Sequence, residues 1–132
     1  METPSTLETG TAVDPRTLEP VPVRVLLLPD TEDEKQEHLV VSPDPFVAKE
    51  GQAIRWRGQK PFTLHFNGET PVEGSGELHA VRNDGWFEAT SRARTDAGRA
   101  QVYKYSVSML GNGEQIHSLD PGGVVETDPR KG

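Results

Sequence analysis

The sequence has 132 residues, a formal charge of −7 at pH 7, a pI near 5.0 and only 33% hydrophobic residues. A chain of that charge repels the phosphates of nucleic acids and anionic membranes, so we expect neither as a partner. It contains no cysteine, which excludes disulfides and thiolate metal sites. Eleven prolines and thirteen glycines divide it into short segments, which disfavours long helices.

The composition predicts three regions: a flexible N-terminal arm (1–20), a β-sandwich domain (21–126) and a C-terminal tail (127–132). The arm is rich in threonine, proline and glutamate, which bury too little apolar surface to fold. An alternative is that it pairs with the sheet edge of a neighbouring molecule. We find no secretory signal pattern and no apolar run near the ~20 residues of a membrane span. We therefore expect a cytoplasmic protein.

Several segments of the first half have strand character. The apolar run 23–28 predicts a first strand buried on both faces, and segments 38–41 and 46–48 predict two more. In the next strand Ile54 and Trp56 share one parity while Arg55 and Arg57 share the other. Residues 62–66 alternate in the same way, and the short loop 58–61 predicts that the two strands form an antiparallel hairpin. The alternation places the larger apolar residues in the core: Trp56, Leu64 and Phe66.

The last third of the chain has the strongest strand composition. Along 102–110, Tyr103, Tyr105, Val107 and Met109 share one parity, and mostly polar residues share the other. This pattern is typical of a strand with one face on a core and the other towards water. Glycine-rich turns follow at 111–113 and 120–123, and Val124-Val125 predicts a short terminal strand.

Three parts of the sequence suggest a family. Residues 41–56 read Val-Ser-Pro-Asp-Pro-Phe-Val-Ala-Lys-Glu-Gly-Gln-Ala-Ile-Arg-Trp and, with 62–66, resemble the first half of a cupredoxin domain. Residues 103–107, Tyr-Lys-Tyr-Ser-Val, are similar to the strand that ends in the copper-binding cysteine of blue-copper proteins. The ending Asp-Pro-Gly-Gly-Val-Val at 120–125 resembles that of bacterial cupredoxin-like proteins without copper. The resemblance covers 38–126 and implies an all-β, Greek-key β-sandwich of about seven strands with little helix.

The same resemblance argues against copper chemistry. A blue-copper centre needs two imidazoles and a thiolate, whereas Val107 stands where the thiolate would be. The alternative fold is an immunoglobulin-like sandwich, in which Trp56 would be the strand-C tryptophan and 96–98 with Tyr105 would resemble the tyrosine corner. Both readings are Greek-key sandwiches.

The sequence contains no catalytic or nucleotide-binding motif, so we expect neither an enzyme nor a cofactor. Its candidate contact residues are basic, because guanidinium groups pair with oxyanions and acidic partners. We expect them to bind a partner protein or a second copy of the chain: Arg55, Arg57, Arg92 and Arg94. One alternative is a copper or zinc site formed by His65 and His117. Another is a small-molecule pocket around Trp86 and Phe87.

Overall fold

The structure, a computed structural model, describes residues 17–33, 36–66, 76–94, 100–111 and 115–127. These residues are almost entirely β, so the predicted all-β class is confirmed. The strands are β1 (Val21–Pro29), β2 (Glu37–Ser42), β3 (Phe46–Lys49), β4 (Ala53–Gly58), β5 (Phe62–His65), β6 (Glu77–His79), β7 (Val81–Asn83), β8 (Trp86–Arg92), β9 (Gln101–Lys104), β10 (Ser106–Leu110), β11 (Ile116–Leu119) and β12 (Gly122–Glu126). Of the predicted arm and tail, the structure describes only 17–20 and residue 127.

One layer of the sandwich is a five-stranded sheet in the order β2-β1-β4-β8-β7. Strands β1 and β4 run parallel, with Val23 opposite Trp56 and Arg24 opposite Arg57, and the other pairs are antiparallel. Strand β4 is therefore a central strand with hydrogen-bonded neighbours on both sides. Because its backbone is paired on both sides, the charged residues on it have fixed backbone positions.

The other layer consists of two sheets, β11-β10-β5-β6 and β3-β12-β9. The chain passes directly from β9 to β10 through Tyr105, and from β11 to β12 through Pro121. At this junction the Tyr105 backbone N–H donates to the Pro121 carbonyl oxygen at 3.0 Å. Two chain segments, β9–β10 and β11–β12, therefore each run from one of these sheets into the other. The interruption at Tyr105 divides the long strand predicted for 102–110.

The core lies between the layers and follows the predicted alternation. Trp56 and Leu64 are fully buried, Phe66 is 4% exposed, and the apolar parity of 103–109 also faces inward. Four aromatic rings cluster there, those of Phe46, Trp56, Phe66 and Tyr105, and the centroids of every pair except Phe46–Phe66 lie 5.7–6.3 Å apart. The Trp56 indole N–H donates to the Tyr105 hydroxyl oxygen at 3.1 Å. Its one polar group is thereby satisfied inside the core.

Two predictions of local structure are wrong. Segment 58–61 does not close a hairpin, because β4 pairs with β1 and β8 whereas β5 pairs with β10 and β6. The segment crosses from one layer to the other, so Trp56 and Leu64 enter the core from different sheets. Strand β1 is also not buried on both faces: Val23 and Val25 are buried, but Arg24 is exposed. Across the described segments, no helix is both long and apolar enough to cross a membrane.

Candidate functional site

The structure places Arg55 and Arg57 on the outer face of β4 and adds a third arginine beside them. The buried residues of β4 are Ile54 and Trp56, so the arginines between and after them point away from the core. Arg24 lies directly opposite Arg57 in the parallel pairing of β1 with β4. We name Arg24, Arg55 and Arg57 the arginine face.

One carboxylate on the neighbouring strand forms an ion pair with the arginine face. Glu88 lies opposite Arg57 on β8, and its Oε1 accepts from the Arg57 Nε at 2.5 Å. Its Oε2 accepts from the Asn83 amide nitrogen at 2.6 Å. The hydrogen bond from Asn83, followed by that from Arg57, lowers the pKa of Glu88 below its ordinary value, and the positive charges of Arg57 and Arg55 add to the effect. Glu88 therefore stays ionised and offsets about one of the three positive charges.

Arg24 and Arg55 have a different environment. Among the residues that the structure describes, neither forms an ion pair with a carboxylate. The Arg24 guanidinium instead lies over the Trp86 ring, 5.9 Å from its centroid, which orients the side chain across β4. Arg24 is exposed and Arg55 is half-buried. The guanidinium donors of both can therefore be offered to an external acceptor.

The other two predicted arginines lie at or beyond the end of β8. Arg92 is the last residue of β8, and its Nη1 donates to the Gly51 carbonyl oxygen at 2.9 Å. Gly51, with a φ of 93°, forms the turn that connects β3 and β4. Arg92 therefore fastens this turn to the sheet. The position of Arg92 opposite Ala53 gives it the outward parity of Glu88, but its guanidinium is engaged by Gly51, so we do not include it in the arginine face. Arg94 lies beyond the end of β8 and is half-buried.

The alternative metal pair is not assembled. His65 on β5 lies opposite Ser106, and His117 on β11 lies opposite Met109, so the two imidazoles project to opposite faces of one sheet. The His117 side chain is 15% exposed, and its Nε2 lies 3.9 Å from the Glu37 Oε1, beyond hydrogen-bond distance.

His65 instead belongs to an exposed group on the outer face. Its Nδ1 lies 3.1 Å from Glu77 Oε2, while the other oxygen of Glu77 lies 2.7 Å from His79 Nε2. Within the described part of the chain, no three histidine, aspartate or glutamate side chains are arranged to hold a metal ion.

A polar cleft of about 460 Å³ opens beside His65. Its lining includes Ser106 and Asp120, residue types that occur in hydrolytic relays. The Ser106 hydroxyl, however, donates to Asp120 Oδ1 at 2.7 Å, and the His65 Nδ1 lies 3.1 Å from Glu77 Oε2. Among the described residues the serine hydroxyl therefore bonds to a carboxylate and not to an imidazole, which differs from the serine–histidine arrangement of those relays.

The proposed aromatic pocket is divided between two faces. On β8, Phe87 lies opposite Gly58 and points inward, where it packs against the core. Trp86 has the opposite parity and contacts Arg24 on the outer face. The two rings therefore do not line a common pocket, and Trp86 instead belongs beside the arginine face.

The sequence contained a signal for Arg24 that the strand prediction overlooked. Arg24 lies between Val23 and Val25, both of which are buried, so it shares the outward parity of Arg55 and Arg57. A charged residue within an apolar run indicates that one face of the strand is open to water. Trp86 gave no comparable signal, because its contact with Arg24 depends on the order of strands in the sheet.

No protein-family model matches this chain, and no curated protein is similar to it in sequence. Its function is therefore inferred from the geometry of the arginine face and from the residues around it.

Proposed function

We propose that this chain is a non-catalytic binding module on a copper-free, cupredoxin-like sandwich, and that its arginine face engages an acidic segment of a partner protein. The observation that carries the proposal is the pair Arg24 and Arg55, which have no carboxylate partner among the described residues and lie beside the Arg57–Glu88 ion pair. Outward cations held on central strands of a sheet form a fixed acceptor site for carboxylates.

The spacing of the arginines favours an extended peptide over a single small anion. Arg55 and Arg57 are two residues apart on one strand, which separates their backbone positions by roughly 6.6 Å. Carboxylates at alternate positions of an extended peptide have the same spacing. Such a peptide can therefore engage both guanidinium groups at once, while the Trp86 ring offers apolar contact to the residues between.

The charge of the whole chain limits how strong this binding can be. With a formal charge of −7, the protein repels acidic partners at long range, so the arginine face acts only at short range. A densely charged polyanion such as nucleic acid is repelled over a larger area of the protein and should bind less well. A short acidic stretch within an otherwise neutral protein suits the face better.

The test uses the full chain labelled with nitrogen-15 and a short peptide in which glutamate alternates with threonine. We expect amide shifts clustered on β1, β4 and β8 around the arginine face, with saturation in the micromolar to ~1 mM range. A peptide with glutamine in place of glutamate should cause no comparable shifts. Raising the salt concentration should weaken the binding, because the charges are at the surface.

Two variants decide whether the arginine face is responsible. Arg55→Glu should weaken the peptide's affinity by about tenfold or more, because it replaces attraction with repulsion. Arg82→Glu makes the same charge change on β7, where Arg82 instead lies over the Phe87 ring, and serves as the matched control. Equal losses in both variants, or equal shifts with the glutamine peptide, would contradict the proposal.

A further inference from the structure

The opposite layer of the sandwich carries an apolar surface that the arginine face does not explain. In the sheet β3-β12-β9, Val124 lies opposite Val47 on one side and opposite Val102 on the other. The three valines therefore form one row across the strands, which we name the valine face. Val47 is 52% exposed and Val102 is 73% exposed, whereas their neighbours Phe46 and Tyr103 are buried in the core.

Val124, between Val47 and Val102, is half-buried, so the row joins two exposed valines through a third that is partly covered, and contiguous apolar surface of this kind is found at contact sites. Isolated exposed valines are ordinary, but here the register aligns them side by side. Charged residues lie on both sides of the row rather than within it. Lys49 and Glu126 form one flank, with their charged atoms 3.9 Å apart, and Lys104 lies on the other flank.

The placement of these charges makes the valine face complementary to itself. Along β12, Glu126 lies two residues beyond Val124, and Gly122, which pairs with Lys104, lies two residues before it. A two-fold axis along the valine row would lay each valine on its counterpart and exchange the flanks. Glu126 of each copy would then approach Lys104 of the other copy. Such a surface suits an isologous contact, in which the same patch serves both molecules.

The charge of the chain also favours this face for contact between copies. Two molecules that each carry −7 repel one another in most orientations. The flanks of the valine face hold Lys49 and Lys104 together with the carboxylates of Glu126 and Asp44, the latter accepting from the Gly122 N–H. These charges balance, so the region lacks the negative excess of the whole chain. We infer that two copies of this chain associate face to face through Val47, Val102 and Val124, with reciprocal contacts between Glu126 and Lys104. The inference does not depend on what binds the arginine face.

The test is sedimentation equilibrium of the full chain from micromolar to about 1 mM, a range chosen because small interfaces bind weakly. We expect the apparent mass to rise from 14.5 kDa towards twice that value. Val102→Lys should raise the dissociation constant by about tenfold or more, because it places a charge within the contact at its most exposed valine. The matched control is Val81→Lys, since Val81 is 65% exposed but lies on β7 of the other layer. This control should dimerise as the wild type does.

A charge exchange provides a second test that leaves the valines intact. Lys104→Glu and Glu126→Lys should each weaken association, and the double variant should restore it, because the pair is reversed on both copies. A chain that remains monomeric at the highest concentration would overturn the inference. So would a dimer that resists both Val102→Lys and the two single charge variants, or one that Val81→Lys weakens equally.

Discussion

The two faces of strand β4 follow different physical rules. Its inward residues Ile54 and Trp56 are fully buried, while Arg55 and Arg57 between and after them point outward. Inside, volume and shape decide whether a substitution is tolerated, because the core is close-packed. Outside, charge decides what the surface can bind, and most substitutions leave the fold intact. The comparison implies that stability and binding can be altered separately on one strand.

The largest expected effect is on the inner face. Trp56→Ala should lower the free energy of unfolding by about 3–5 kcal/mol, because it leaves a cavity among three other aromatic rings. The substitution also leaves the Tyr105 hydroxyl without its donor. Chemical denaturation measures the change. An unchanged unfolding midpoint would show that the inner face does not control stability.

The next prediction concerns Tyr105, whose pKa is raised to about 12, chiefly because burial disfavours the charged form, and further by the negative charge of Asp44. In the unfolded chain the tyrosine has its ordinary pKa of 10.0, so the folded protein binds this proton more tightly than the unfolded chain does. The stability that comes from holding this proton is fully present below pH 10 and is lost as the pH rises towards 12. The free energy of unfolding should fall by about 2–3 kcal/mol across that interval.

Tyr105→Phe serves as the control for this pH dependence. At neutral pH it should cost about 1–2 kcal/mol, because the buried Trp56 N–H loses its acceptor. Between pH 10 and pH 12 its stability should decline less steeply than that of the wild type, since the titrating group has been removed. Parallel curves for the two proteins would indicate that the hydroxyl of Tyr105 is not the responsible group. Denaturation at a series of pH values supplies both curves.

The sequence identified the core because alternation with period two is a local property. Trp56, Leu64 and Phe66 were assigned to the interior from the residues beside them, and the structure confirms all three. The partner of a strand is not a local property. Segment 58–61 reads as a hairpin turn, yet it crosses between layers, and only the arrangement of β1, β8 and β10 around it decides this.

The candidate site divides in the same way. Arg55 and Arg57 were recognised from their parity on one strand. Arg92 was grouped with them by charge alone, although its guanidinium is engaged by the carbonyl oxygen of Gly51, a residue 41 positions away in the sequence. The contribution of Arg24 requires that β1 lie beside β4, which the sequence does not state. The pattern of charges in the sequence suggests that a basic surface exists, but the order of strands in the sheet determines which arginines belong to it.

Two adjacent glycines on β12 differ in the same way as the two faces of β4, because one points into the core and the other points outward. Gly123 points inward, and a Cβ added there would overlap the ring of Phe46. Gly123→Ala should therefore cost about 1–3 kcal/mol through overpacking. At the neighbouring Gly122, an added Cβ would meet its nearest atom, the Cβ of Pro45, at 3.4 Å, which is ordinary contact. Gly122→Ala should change stability by less than about 1 kcal/mol. Equal costs at both positions would mean that orientation does not matter here.

The smallest expected effect on stability is on the outer face. Arg57→Ala removes one partner of Glu88, but Asn83 still donates to that carboxylate and the Arg57 side chain is 45% exposed. The free energy of unfolding should change by no more than about 0.5 kcal/mol. The affinity for the glutamate–threonine peptide should nevertheless fall severalfold. A destabilisation comparable to that of Trp56→Ala would remove the distinction between the faces.

Glu88→Gln tests the same face in the opposite direction. Glu88 competes with an external carboxylate for Arg57, and its lowered pKa keeps it charged at neutral pH. Glutamine preserves the shape and can still accept a hydrogen bond, so the loss of stability should be small. Removing the negative charge should tighten peptide binding, because Arg57 becomes available beside Arg24 and Arg55. Weaker binding would mean that Glu88 positions Arg57 for the ligand rather than shielding it. Titration of the variant beside the wild type at matched salt distinguishes the two roles.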